Sequence, residues 1–563
     1  MHLETSSDAA VETPEYDAIV IGTGVAGIYQ LYRLKERGLR VLALEAGSDV
    51  GGVWWWNRYP GARLDSESYS YAYSFSKELR EEWKWSEHFA SQPELQRYFS
   101  HVVDRFDLRR HIAFNSLVTA ATFQADDAGW LVRTQGGHDY RCRFLVAAVG
   151  PLTSPTYPKI EGRETFEGEC YHTSRWPHEP VSFSGKRVAV IGTGATGVQV
   201  IQEVAKSAKE LFVFQRTPNY CAPLNNAALT ESEFEDIKSR YDDIIKRCRT
   251  TNSWFIHDAD ERSVFDLSPE EREEFMEALY AERGIGIWKA NFYDIALDSD
   301  ANQIVSEFMR KKIRERVNDP GIAELLAPQS YGFGLRRVPL ETHYYEVFNQ
   351  ENVRLIDVTE TPIERITART LVTSEGEFDV DIIVYATGFD AVTGSFDRIE
   401  IRGSDGTLLR DKWRDGPVTF LGVHTSGYPN FFMPGGPLAS VGNFTPALEY
   451  SVDWITGVLD FMQEHSFTYV DAKPEAELAY TEIAREAQTN LLMGEVKSWS
   501  TGVNTNIEGR DQPRVILFGG GAKRYRAYCA AVNAGGYQEL RFEVTARRES
   551  RPESEEGSCT AAA

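Results

Sequence analysis

Two glycine-rich turns carry the plainest chemistry in the chain. Gly22-Thr23-Gly24-Val25-Ala26-Gly27 and Gly192-Thr193-Gly194-Ala195-Thr196-Gly197 both follow a GxGxxG spacing. Such glycines allow a tight turn and let backbone N–H groups approach a pyrophosphate at a helix N-terminus. After the first turn a helical stretch runs through Gly38, and the apolar run Val41–Leu44 ends at Glu45. A carboxylate about 20 residues past the glycines accepts hydrogen bonds from a ribose diol. After the second turn the corresponding run, Leu211-Phe212-Val213-Phe214, ends in Gln215-Arg216-Thr217 instead. An acid there would repel a 2′-phosphate, whereas the Arg216 guanidinium can bind one bidentately. The first turn therefore suits a nucleotide with a free ribose diol, and the second suits NADP.

Each turn needs a strand before it and a helix after it. Tyr16–Ile21 and Arg187–Ile191 are apolar runs of the kind that form buried parallel strands. Two such units in one chain, the first close to the N-terminus, point to FAD in the first and NADPH in the second. Two further apolar runs end in glycine: Phe144 to Gly150, and Asp381 to Asp390 in DIIVYATGFD. The latter reads as the return of the chain to the first domain. Between Asn225 and about Ala327 the pattern turns helical, with acidic starts and basic later turns. Ser268 and Glu271 there make a capping box.

The expected architecture is α/β: two Rossmann-like dinucleotide-binding domains, for FAD and NADP, with a helical insertion. Residues 1–150 are read as the first part of the FAD domain and 151–224 as the first part of the NADP domain. The insertion takes 225–330. The NADP domain resumes over 331–384 and the FAD domain over 385–545, with a mobile loop near 495–512. The charged, Ser/Glu-rich 546–563 reads as a disordered tail.

Composition narrows the function classes. The chain has 563 residues, 42% of them hydrophobic, enough for several domains. A net charge of −24 argues against binding nucleic acid or an anionic membrane. No apolar run approaches the ~18 residues of a membrane span. The polar start lacks the basic and apolar regions of a secretory signal. Cys142, Cys170, Cys221, Cys248, Cys529 and Cys559 form no CxxC pair and no metal-ligand spacing. They read as free thiols of a reducing, cytoplasmic setting. A disulfide reductase, which needs a redox cysteine pair, is thereby excluded; a ferredoxin or quinone reductase is not.

Two stretches outside the glycine turns are more specific. FEGECYHTSRWP places Phe166, Gly168, His172, Trp176 and Pro177 in an FxGxxxHxxxWP pattern. GGVWWWNRYPGARLDSES, from Gly51 to Ser68, sets three tryptophans before an arginine, a Tyr59-Pro60-Gly61 turn and Asp65. Together with Ala386-Thr387-Gly388-Phe389-Asp390, these resemble the patterns of type I Baeyer–Villiger monooxygenases. The resemblance runs from about Tyr16 to about Glu543.

The resemblance implies an enzyme that uses FAD, NADPH and dioxygen to turn ketones, cyclic ones foremost, into esters or lactones through a flavin peroxide. A fixed cation beside that peroxide keeps it anionic and stabilises the oxyanion that follows. Arginine suits the task because it does not donate its proton near neutral pH. In SYGFGLRRVPLE the resemblance makes Arg336 a ligand of the NADP 2′-phosphate and Arg337 catalytic, with Asp65 as the partner that orients Arg337. It makes Gly22, Gly24, Gly27, Glu45, Trp54, Asp65, Tyr71 and Val118 FAD contacts. Its NADP contacts are Gly192, Gly194, Thr196, Gly197, Gln199, Arg216, Thr217 and Arg336. Trp499, in SWSTGVN, matches the tryptophan of a loop that folds over the nicotinamide. After it, Asn504-Thr505-Asn506-Ile507-Glu508-Gly509-Arg510 replaces the shorter Asn-Ile-Pro-Gly-Lys of relatives. Trp54, Trp55 and Trp56 are expected to pack over the flavin and exclude water. His172 is expected to couple the two nucleotide domains rather than to move a proton. Two other readings remain: oxygenation of sulfur or nitrogen by the same chemistry, and a non-catalytic NADP-sensing protein.

Overall fold

A computed structural model describes residues 15–545. The residues before Glu15 and the Ser/Glu-rich tail 546–563 lie outside the described residues.

The first sheet is built around Tyr16–Ile21. That strand pairs in parallel with Val41–Leu44 on one side and Asp139–Ala147 on the other. Ile112–Ala113 extends the sheet beyond Val41–Leu44. Gly129–Thr134 and Val118–Gln124 add antiparallel strands at the other edge. Late in the chain, Glu400–Arg402 and Phe431–Phe432 return to this sheet. Ala18 and Val20 join one apolar layer, Ile19 and Ile21 another. Burial on both faces is why the strand reads as an unbroken apolar run.

The second sheet has five parallel strands, in the order Val353–Asp357, Glu210–Gln215, Arg187–Ile191, Ile382–Tyr385 and Glu169–His172. Ile382–Tyr385 thus belongs to the second sheet and is not the point of return to the first domain, as its sequence suggested. An apolar strand ending in glycine looks the same in either sheet, and only its non-local partner, Arg187–Ile191, decides between them. The return comes later, at Glu400–Arg402.

The two sheets share one device. In each, the strand next to the dinucleotide strand ends against the glycine turn. A Cβ on Gly22 would lie 2.8 Å from the Ala148 carbonyl oxygen, and one on Gly192 would lie 2.5 Å from that of Ala386. Their φ angles, +92° and +106°, also favour glycine.

Helices Glu231–Ser239, Tyr241–Thr250, Pro269–Ala281, Ser299–Arg316 and Pro320–Leu326 occupy the stretch read as an insertion. The capping box is present: the Ser268 hydroxyl accepts from Glu271 N at 3.2 Å, and the Glu271 carboxylate accepts from Ser268 N at 2.8 Å. Further on, the 21-residue helix Phe444–Glu464 packs on the first helix, Val25–Glu36. Tyr29 fixes that contact by donating its hydroxyl to Asp453 at 2.8 Å. No helix among the described residues is long and apolar enough to cross a membrane.

Gly192→Ala should add about 1–3 kcal/mol of local strain and deform the second turn alone. Flavin absorbance and titration with 2′,5′-ADP check this. The expected result is unchanged flavin content with loss of 2′,5′-ADP binding; equal loss of both would contradict independent turns.

Candidate functional site

A cavity of about 480 Å³ opens at the first glycine turn. Gly22, Gly24, Glu45, Tyr71, Val118 and Phe444 line it. The buried Glu45 carboxylate braces the turn. One oxygen accepts from Thr23 N and the Thr23 hydroxyl, both at 2.7 Å, and the other accepts from Gly47 N at 2.7 Å. A carboxylate has about four acceptor positions, so one stays open to a ribose hydroxyl. The helix Phe444–Glu464 begins at this cavity with no side-chain cap. The Thr445 hydroxyl in its first turn is buried without a partner. Free N–H groups at a positive helix end suit an electron-rich polar group. These residues fit FAD.

The three tryptophans form one helical turn, Val53–Trp56, and diverge. Trp56 lines the cavity, with the Arg175 guanidinium 4.7 Å above its ring. Trp54 donates its indole N–H to the Tyr71 hydroxyl at 3.2 Å, edge-on to that ring. Trp55 points elsewhere, 4.6 Å from both the Arg58 guanidinium and the His178 ring. Successive helical residues are about 100° apart. The expectation that all three cover the flavin is therefore corrected: they cannot share a face.

The segment after them crosses to the second unit. The Tyr59 hydroxyl donates to Gln199 Oε1 at 2.8 Å, and Gln199 Nε2 donates to the Arg63 carbonyl at 3.2 Å. Gln199 sits on the helix Ala195–Val204 that follows the second glycine turn. Two residues beyond Arg63, Asp65 forms an ion pair with Arg337. The Arg337 side chain is 35% exposed and that of Asp65 18%. Both charges act on Tyr71, whose hydroxyl burial pushes up to about 12. Neither Asp65 nor Arg337 lines the cavity; the pair acts on it through Tyr71, which does.

At the second turn Gly192, Gly194 and Gly197 open the helix Ala195–Val204. The Thr196 hydroxyl lies 3.2 Å from that of Thr173. The Thr217 carbonyl accepts from the Thr193 hydroxyl at 3.0 Å. Arg336 lies 4.5 Å over the Tyr331 ring and donates to the Lys497 carbonyl at 2.7 Å. Its Nε is buried without a partner. Burial and the nearby Arg216 charge both disfavour its charged form. Two guanidinium groups that repel each other suit a phosphate between them. Trp499 lies half-buried on the short turn Trp499–Thr501.

His172 ends the edge strand of the second sheet. Its Nδ1 accepts from Ser174 N at 3.1 Å, which leaves the proton on Nε2, 3.3 Å from the Thr156 carbonyl. Burial pushes the imidazole down to about 4, so it is neutral near pH 7. The neutral ring is held between Ser174 and Thr156, the latter in the crossover segment that runs from Asp139–Ala147 of the first sheet to Glu169–His172 of the second.

Sequence reasoning missed Lys289. It lies on the short helix Gly286–Lys289 of the insertion. Its ammonium stands 3.5 Å from the Trp288 ring centre. No ion pair forms on it among the described residues. Burial and the charge of Arg337 push it down to about 7. The legible signal was a lone lysine in the apolar run Gly284-Ile285-Gly286-Ile287-Trp288-Lys289-Ala290.

A family model described as flavin-binding monooxygenase-like matches residues 17–225. The 2-oxo-Delta(3)-4,5,5-trimethylcyclopentenylacetyl-CoA monooxygenase of Pseudomonas putida is 43% identical over 534 residues, covering 93% of this chain and 98% of that protein. The phenazine N-monooxygenase PhzNO1 of Lysobacter antibioticus is 39% identical over 526 residues, covering 93% and 96%. The crystal structure of OTEMO in complex with FAD and NADP matches with a TM-score of 0.91 at 42% identity, covering 94% of this chain and all of that one.

Lys289 should be half-neutral near pH 7, where an ordinary lysine is charged. Competitive labelling with an amine-reactive reagent across neutral pH measures this. Arg337→Met should raise the inflection, because a neighbouring positive charge is removed. An inflection near about 10.4 in the unaltered protein would contradict it.

Proposed function

The chain belongs to the flavin-binding monooxygenase-like family, in its Baeyer–Villiger branch, and we propose that it converts ketones, cyclic ones foremost, into esters or lactones. FAD, when bound and reduced by NADPH, would supply the activation of dioxygen, one atom of which would enter the ketone beside its carbonyl while the other left as water. The chain's own residues bind, orient and exclude water around that event.

The observation that carries this reading is the Asp65–Arg337 pair, whose charges act on Tyr71 of the cavity wall. Arg337 brings a positive charge that does not release a proton. It favours negative charge on the reacting oxygen, and a cation held in place does this without reorganising. Asp65 limits the swing of the guanidinium. Trp56 and Tyr71, the latter held by Trp54, exclude water from the cavity. Gly22, Gly24, Gly27, Glu45, Tyr71 and Val118 hold FAD. Gly192, Gly194, Thr196, Gly197, Gln199, Arg216, Thr217 and Arg336 hold NADPH, and Trp499 covers it. The described cysteines are unpaired, and we place the enzyme in the reducing cytoplasm.

A second reading, oxygenation of nitrogen, is favoured by the phenazine N-monooxygenase relative. The difference lies in the protonation of the oxygen donor: attack on a carbonyl needs it negative, attack by an amine needs it protonated. A permanent cation at the site favours the first.

Incubation with NADPH, a cyclic ketone, a tertiary amine and ¹⁸O₂ separates the readings. Labelled lactone is expected; labelled N-oxide without lactone would overturn the leading one. Arg337→Ala should still bind FAD and accept electrons from NADPH, while lactone formation falls by about a hundredfold or more. Normal lactone turnover by that variant would remove Arg337 from the chemistry.

A further inference from the structure

The two arginines read as anchors of the 2′-phosphate both touch one loop. Arg336 donates to the Lys497 carbonyl, and Arg216 Nη1 donates to the Thr505 hydroxyl at 2.8 Å across 289 residues of chain. Among the described residues neither arginine pairs with a carboxylate, in a chain that carries 84 acidic residues. Arg336 also keeps its buried Nε without a partner. Positive charge left unpaired in so acidic a protein marks an anion site.

Thr505 is not there by the drift of a slack loop. Its neighbour Asn504 donates its side-chain amide to the Phe389 carbonyl at 2.9 Å and its backbone N–H to the Arg510 carbonyl at 2.7 Å. The Asn504 side-chain oxygen accepts from Asn506 N at 3.0 Å. Arg510 pairs with Asp397 at 2.9 Å. The turn is thus pinned on both sides of Thr505. Yet Thr505 and Arg216 are themselves exposed, and a hydrogen bond between exposed groups adds little to folding. A threonine hydroxyl that accepts from arginine keeps its own hydrogen to donate.

We propose that Thr505 is a specificity-determining residue for NADPH: its hydroxyl donates to the 2′-phosphate oxygen that Arg216 holds. The loop then supplies a third contact to the phosphate, opposite the glycine turn, and discriminates against NADH. The inference rests on the reading of Arg216 as the phosphate anchor.

Calorimetry of the flavin-loaded enzyme with 2′,5′-ADP and with 5′-ADP tests it. Thr505→Val should weaken 2′,5′-ADP about tenfold and leave 5′-ADP unchanged; Thr505→Ser should restore binding. Arg216→Ala, which should abolish the preference for 2′,5′-ADP, tests the underlying reading separately. If Arg216→Ala loses the preference and Thr505→Val keeps it, the role of Thr505 is overturned and the anchor stands. If Thr505→Val weakens both ligands equally, Thr505 only supports the loop and the proposal fails. If neither variant alters the preference, both readings fall.

Discussion

One ion pair, between Asp65 and Arg337, joins segments 272 residues apart and fixes a guanidinium near Tyr71 of the cavity wall. A partly exposed pair of this kind contributes only about 0–1 kcal/mol to stability. Its effect is placement. Without the carboxylate, the guanidinium has several rotamers open to it. Arg336, the residue just before it, is held elsewhere, over Tyr331 and against the Lys497 carbonyl. Two adjacent arginines are therefore held by different partners, Arg337 by Asp65 and Arg336 by Tyr331 and the Lys497 carbonyl.

That placement depends on how the two nucleotide units are joined. The path from Tyr59 to Asp65 belongs to the first unit but is held by Gln199 of the second through two hydrogen bonds. His172 binds the crossover at Thr156, and the Thr387 hydroxyl donates to the same carbonyl at 2.6 Å. The loop around Asn504 touches Phe389 on one side and Arg216 on the other. Beside these hydrogen bonds, one continuous apolar cluster takes residues from both units, Val20, Tyr59 and Leu64 of the first with Val188 and Val198 of the second. The geometry at Arg337 is a property of the assembled pair of units.

Much of this was legible in the sequence because it rests on local pattern. The glycine turns, their strands and the Ser268 capping box follow from spacing and backbone sterics alone. The Asp65–Arg337 pair was legible only through the family patterns, since nothing local links residues so distant. Three features were not legible. Ile382–Tyr385 has the same apolar character whichever sheet it joins. Trp54, Trp55 and Trp56 look alike as letters, but a helical turn sends them in different directions. Lys289 looks like any surface lysine until tertiary packing buries it within reach of the Arg337 charge. For the strand and the lysine the missing information was a long-range contact, which composition and periodicity do not carry; for the tryptophans it was the local backbone conformation.

The most direct measurement is a crystal structure of the enzyme with both nucleotides bound, solved for the unaltered chain and for Asp65→Ala. In the unaltered enzyme the guanidinium of residue 337 should lie against the flavin ring and the Asp65 carboxylate; in the variant it should lose that position while both nucleotides stay in place. A guanidinium turned away from the ring in the unaltered enzyme, or one unmoved by loss of Asp65, would contradict the central role given to this pair.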